Sequence, residues 1–263
     1  MRVLVKTPPY RVNSGGILAL HKLVSLINEV GGEAVAITPS KEGEINVIDT
    51  DWVVYPEIDR GNPLNASNVV RWVLNTPGVV GGDIGTWGVE DLVFKYSDQF
   101  YCPVPYDGSL TICDFRLEAF TPPVLQDRGD RTLYGVYKGC RYFDRYNQHP
   151  NDAAAIELMS FEEMLYEMGR SKAFYCYDNE SYYAVMAALM GCDSIVIPKD
   201  TEMTPEEFRS QHPAYKYGIA YGDDDVEYAR ETRHLLRPYL NELDEQQKVS
   251  VKEFLTILEN YGS

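Results

Sequence analysis

The sequence predicts an α/β protein made of two Rossmann-like halves, each a parallel sheet, facing a shared cleft. Three observations carry this. Two segments each close a strand and open a helix. The first is Val3-Leu4-Val5, a loop ending Asn13-Ser14-Gly15-Gly16, then an apolar-faced run from Ile17 to Val30. The second is Ala173-Phe174-Tyr175-Cys176-Tyr177, then Asp178-Asn179-Glu180-Ser181, then Tyr182 to Met190. Strand-like and helix-like runs also alternate in both halves, which argues for parallel sheets covered by helices. Finally, the stretch from Pro103 to Asp130 has little periodicity and contains Pro103, Pro105, Pro122 and Pro123. It divides the chain into expected domains of residues 1–125 and 126–263, a size compatible with two small cores.

In order, Val3–Val5 reads as a short strand. Leu20, Leu23, Val24, Ile27 and Val30 follow the three-and-four spacing of a helix with one buried face. Gly31-Gly32 supplies a left-handed terminator. Ala34–Ile37 and Trp52–Tyr55 read as buried strands. Asn65-Ala66-Ser67 offers a cap to a helix over Val69–Leu74, stopped by Asn75-Thr76-Pro77-Gly78. Asp91–Tyr96 and Phe100–Tyr101 read as strands. In the second half, Arg131–Tyr137, Ala173–Tyr177, Ser194–Ile197 and Gly218–Tyr221 are predicted strands, and Ser160–Met168 and Tyr182–Met190 helices. Thr204-Pro205-Glu206-Glu207 starts a short helix with proline in its first turn. One helix is expected from near Asp223 and a last one over Val249–Tyr261. There is no low-complexity tract and no repeat period.

Composition excludes several classes. The net charge of −16 argues against a nucleic-acid partner in the absence of a basic patch. No apolar run approaches the roughly 18–20 residues of a membrane span, and no charged-then-apolar leader precedes the first strand. Five cysteines without CxxC spacing suit reduced thiols in a cytoplasmic protein, and four dispersed histidines give zinc no support. Twenty tyrosines suit a surface that contacts sugars or a partner, and equally an ordinary tyrosine-rich fold. No residue pattern specifies an oligomeric state.

Four groups could carry chemistry. Ser14, Gly15 and Gly16 would let backbone amides at a helix start approach an anion, although a tight strand-to-helix turn reads the same. The loop is not GxGxxG, which disfavours a nicotinamide dehydrogenase. Lys138 and Arg141, flanking Gly139-Cys140 at a strand end, could grip a diphosphate as a point charge and a planar fork, or lie solvated on a loop. Asp178, Asn179, Glu180 and Ser181 could hold ribose hydroxyls and phosphate at a helix amino end, or simply cap that helix. Asp83, in Gly81-Gly82-Asp83-Ile84-Gly85, reads as a general base or a turn residue. Asp223-Asp224-Asp225 reads as first-turn acid rather than a metal site.

These residues resemble those of GT-B nucleotide-sugar glycosyltransferases, of the bacterial or viral group-1-like type. Gly15-Gly16 with Leu20-His21-Lys22-Leu23 resembles the glycine-rich loop and first helix of the family's acceptor half. Leu133-Tyr134-Gly135-Val136-Tyr137-Lys138-Gly139 resembles the strand leading to its diphosphate-holding cations. Ser171-Lys172-Ala173-Phe174, through Asp178-Asn179-Glu180-Ser181, to Ala187-Ala188-Leu189-Met190-Gly191-Cys192 and Asp193–Pro198 is similar to its acid, helix, small-residue–Gly and buried-strand pattern. The resemblance covers Met1–Ile37 and Arg131–Ile197. It implies an acceptor-binding first domain, a donor-binding second domain and a terminal helix that crosses back to brace the first half.

The function implied is transfer of a sugar from a nucleoside diphosphate sugar to a carbohydrate or glycoconjugate acceptor, as in polysaccharide biosynthesis. It would need no metal and no cofactor beyond the sugar nucleotide itself. Lys138 and Arg141 would stabilise the departing diphosphate, Glu180 would hold ribose or sugar hydroxyls, and Asp83 would serve as base if the reaction inverts. The alternatives are a non-catalytic nucleotide-sugar-binding protein and a GT-B-fold epimerase.

Overall fold

Eleven strands and five α-helices build two all-parallel sheets in a computed structural model, which describes residues 1–12, 14–41, 43–98, 100–124, 127–199 and 202–261. The chain divides into two compact units, Met1–Phe115 with Glu242–Ser263, and Arg116–Asn241. The domain boundary expected between residues 125 and 126 falls on residues outside those described, as does Asn13 of the first loop.

The first unit is a six-stranded sheet. Its strands are β1 (Arg2–Lys6), β2 (Glu33–Ile37), β3 (Trp52–Pro56), β4 (Asn68–Val73), β5 (Leu92–Lys95) and β6 (Gly108–Ser109), in the order β2-β1-β3-β4-β5-β6. Strand alternation sorts the core. Val3, Val5, Trp52, Val54, Val70 and Trp72 share one face with Leu23 and Ile27 of helix α1 (Gly15–Glu29), whereas Leu4, Val53, Tyr55 and Val69 share the other. Each fully buried aliphatic chain here contributes roughly 1.5–3 kcal/mol. As the sequence predicts, α1 ends at Gly31, whose φ is +93°, with the Gly32 N–H donating to the Ile27 carbonyl at 2.9 Å.

Three expectations are corrected. Residues 69–74 are not helical; they form most of β4, buried at five of its six positions. A short apolar run cannot separate buried helix from buried strand by period, and the β-branched and aromatic content of Val-Val-Arg-Trp-Val favours strand. Phe100–Tyr101 forms no strand, and β6 takes its place at the sheet edge. The expected terminal helices are one, α5 (Val226–Tyr261), 36 residues long and continuous through Pro238. Its carboxyl end belongs to the first unit, where Val251, Phe254 and Leu258 join α1 on the same sheet face. Alternation of strand and helix also lapses after β2: loops and short 3-10 turns make the later parallel connections in this unit.

The second unit is a five-stranded sheet of β7 (Thr132–Gly135), β8 (Ala154–Ala155), β9 (Ala173–Cys176), β10 (Asp193–Val196) and β11 (Ile219–Tyr221), in the order β11-β10-β9-β7-β8. Helix α2 (Phe161–Arg170) starts with a capping box, Ser160 with Glu163, and α4 (Pro205–Gln211) with another, Thr204 with Glu207. Between them α3 (Tyr182–Leu189) is buried from Ala184 to Leu189. Arg128 ties α2 to α3 by donating to the Met168, Ser171 and Met190 carbonyls. Register then sets the site. Gly135 lies opposite Cys176 and Cys176 opposite Val196, so the segments after β7, β9 and β10 leave the sheet side by side.

Candidate functional site

The carboxyl edge of the second sheet brings Lys138 against Glu180. After β7 the chain makes a 3-10 turn over Tyr137–Arg141, with Tyr137 at a φ of +41°. Gly139 permits this close turn, because a Cβ there would lie 2.5 Å from the Tyr177 carbonyl oxygen. The Lys138 Nζ thereby reaches Glu180 Oε2 at 3.3 Å, the two side chains being 36% and 15% exposed. Their partial exposure keeps both charges within reach of a ligand.

The rest of the Asp178–Ser181 segment holds that pair in place. Asp178, 2% exposed, accepts the Glu180 N–H at 3.1 Å. Burial pushes its carboxyl up, against the pull of Lys138. Asn179 donates from Nδ2 to the Ile197 carbonyl at 2.8 Å, pinning the loop to the end of β10, and its fully buried Oδ1 has no partner among the described residues. Ser181 caps α3 by accepting the Tyr183 N–H, and its carbonyl accepts the Tyr215 hydroxyl at 2.5 Å. Tyr215 stacks on His212, whose imidazole burial pushes down to about 4 and so keeps neutral near Glu180. Asp178, Asn179 and Ser181 thus spend their hydrogen bonds on the fold, and Lys138 and Glu180 carry the charge. Arg141 closes the same turn, exposed and without an ion-pair partner among the described residues.

In the first unit, Ser14 stands at the amino end of α1 without a side-chain capping bond. Neither glycine after it is required by packing. A Cβ on Gly15 would meet nothing within 4 Å, and one on Gly16 only Leu74 Cδ1 at 3.9 Å. That leaves the backbone there open to a ligand. Asp83 lies in the loop after β4. It caps the 3-10 turn Ile84–Thr86, its Oδ1 accepting the Gly85 N–H at 3.0 Å, and is exposed.

Sequence reasoning missed Glu57, directly after β3. It is 4% exposed, and its Oε2 accepts the Leu74 N–H at 3.0 Å. Burial pushes its carboxyl up to about 7 against those backbone bonds. A single acid after a proline has no pattern to announce it.

A cavity of about 520 Å³ lies elsewhere in the second unit, along the sheet face from Thr132, Ala173 and Asp193 at the amino ends of β7, β9 and β10. Of the acids that line it, Asp193 is already paired with Arg230, at 2.7 Å, and with Arg233. Open parallel sheets bind ligands at the carboxyl edge, so Lys138 and Glu180 mark the stronger site. Among the described residues no helix is long and apolar enough to cross a membrane.

No family model and no curated protein matches the sequence. Solved structures do match. T4 phage BGT in complex with UDP and Mn2+ aligns over 98% of this chain and 99% of its own, with a TM-score of 0.53 at 11% identity. An α-glucosyltransferase in complex with UDP and a 13-mer DNA containing an HMU base aligns over 98% and 99%, with a TM-score of 0.50 at 12% identity. An α-glucosyltransferase with UDP alone aligns over 98% and 100%, with a TM-score of 0.50 at 12% identity. The chain has the GT-B fold, as its sequence resemblance implies.

The comparisons correct one expectation. Net charge does not exclude nucleic acid here, because a glucosyltransferase of this fold is solved on DNA. A net charge of −16 is a sum over the molecule, while binding answers to the local field. As for the Mn2+ in T4 phage BGT, no group of three or more His, Cys, Asp or Glu side chains among the described residues is arranged to hold a metal. In the Asp223–Asp225 run, Asp225 is committed to Arg209 at 2.5 Å.

Proposed function

We propose that this chain is a glycosyltransferase that moves a sugar from a UDP-sugar to a hydroxyl acceptor, with its donor site in the second unit. The supporting observation is the meeting of Lys138 and Glu180 at the carboxyl ends of β7 and β9, in a fold whose solved examples carry UDP. Negative charge grows on the diphosphate as the anomeric bond breaks. The Lys138 ammonium and Arg141 guanidinium supply fixed positive charge there, which lowers the barrier most in a site already organised around them. Glu180 turns its carboxylate to the ribose hydroxyls as Lys138 engages phosphate, and Asp178, Asn179 and Ser181 hold the loop that presents it. Ser14, Gly15 and Gly16 form the acceptor-side backbone of the first unit.

The acceptor favoured is a hydroxymethylated base in DNA, the ligand class of one structural neighbour. Five unpaired cysteines, three of them buried, fit a reducing cytoplasmic setting.

The test incubates the protein with UDP-glucose, UDP-galactose and UDP-N-acetylglucosamine, adding an HMU-containing oligonucleotide or a set of oligosaccharides. UDP release with a matching mass gain on an acceptor is expected. UDP binding with no turnover on any acceptor indicates a binding protein, and an altered sugar nucleotide without acceptor indicates an epimerase.

A further inference from the structure

Transfer to a hydroxyl releases a proton, and the first unit places a carboxylate to receive it. Glu57 leaves the sheet at the carboxyl end of β3, between β1 and β4. Its N–H donates to the Trp72 carbonyl at 3.1 Å and its Oε2 accepts the Leu74 N–H at 3.0 Å, so both ends of the residue are fixed to β4. From the other side, Gly82, at a φ of +83°, lies so close that a Cβ would fall 1.9 Å from the Glu57 carbonyl oxygen. Leu74 is in turn the residue nearest to a Cβ built on Gly16. The segment after β4 thus holds both the backbone and the carboxylate of Glu57, and through Leu74 it reaches the start of α1. Glu57 lies at the sheet edge where parallel α/β folds bind their ligands.

We infer that Glu57 is the general base for the acceptor, taking the hydroxyl proton as that oxygen attacks the anomeric carbon. The inference rests on the glycosyltransferase reading above. In the step, a bond forms between the acceptor oxygen and the anomeric carbon. The bond from that carbon to the diphosphate oxygen breaks, its electron pair leaving with UDP, and the proton ends on the Glu57 carboxyl. Direct attack on the face opposite the leaving group inverts the anomeric centre.

Electrostatics support the role. Burial pushes the Glu57 carboxyl up to about 7, and the neighbouring Asp59 acts in the same sense. Lys6 of β1 is held by Asp59 at 3.2 Å. The β4 side offers backbone N–H groups of Leu74 and Asn75, and Asp83 follows Gly82 in the facing loop. A carboxylate near neutrality is ionised at working pH and still basic enough to take a proton.

The experiment follows UDP release from UDP-glucose by the full chain from about pH 5 to about 9, with an HMU-containing oligonucleotide or water as acceptor, alongside UDP affinity by calorimetry. Activity of the wild type should rise with pH through a limb near 7, since the base must be ionised. Glu57→Gln keeps an acceptor for the Leu74 N–H, and should lose about 10²–10⁴-fold in kcat and lose the limb, with UDP affinity unchanged. Glu57→Asp should retain the limb at a reduced rate. A Gln variant within about threefold of wild type, or one that keeps the limb, overturns the assignment and leaves the glycosyltransferase reading standing. UDP release absent in the wild type with every acceptor overturns that reading, and Glu57 with it. If the Gln variant does not fold, the wild-type product decides: an inverted anomer is expected and a retained one contradicts the role.

Discussion

Lys138 and Glu180 illustrate how little a visible ion pair needs to contribute to stability to matter for binding. At 3.3 Å and with Lys138 36% exposed, the pair is worth about 0–1 kcal/mol to the fold. A diphosphate that offers Lys138 a stronger partner can therefore separate the two cheaply, freeing Glu180 for hydroxyls. Arg141 adds a second cation on the same turn. Lys138→Ala and Arg141→Ala should each weaken UDP binding about tenfold, the scale of one charge-assisted hydrogen bond. Melting temperature should barely move. Calorimetric titration of UDP checks this; unchanged affinity in both variants removes the diphosphate assignment. Asp178 behaves differently, because its buried carboxyl serves the loop rather than solvent.

At the scale of elements, β4 organises the first unit and is the element least legible in the chain. Its Arg71 is wholly buried, donating from Nε to Asp91 at 2.7 Å and from Nη2 to the Gly61 carbonyl at 2.7 Å, with its guanidinium 5.0 Å from the Tyr55 ring centroid. Asp91→Ala would strand that cation and should cost about 3–5 kcal/mol in urea denaturation; a loss below about 1 kcal/mol would contradict the pairing. What could be read in advance was local. The three-and-four spacing marked α1, Pro205 in the first turn marked α4, and the acid–cap segment marked the start of α3. What could not be read was non-local. Residues 69–74 carry no period that separates strand from helix, and only their place between β3 and β5 decides. Glu57 becomes a buried acid only because β4 lies beside β3 and Gly82 closes over it. Lys138 and Glu180 fall between these cases: their types and strand-end positions were legible, while their pairing follows from the β7–β9 register and from Gly139.

For the whole molecule, the likeness to solved structures lies in the fold and not in the sequence. At 11% identity and a TM-score of 0.53, the chain aligns over 98% of its own length and 99% of that of T4 phage BGT. Parallel α/β sheets bind ligands at the carboxyl edge, whichever side chains line it. Net charge speaks even less directly to the site, because −16 is summed over 263 residues while ligands meet a few of them. A crystal structure of this protein with UDP would show whether the UDP-sugar site lies at the ends of β7 and β9. It should show the diphosphate within hydrogen-bonding distance of Lys138 and Arg141 and the ribose against Glu180. UDP lodged instead in the groove between Asp130 and Arg230, or no UDP bound at saturating concentration, would contradict that placement.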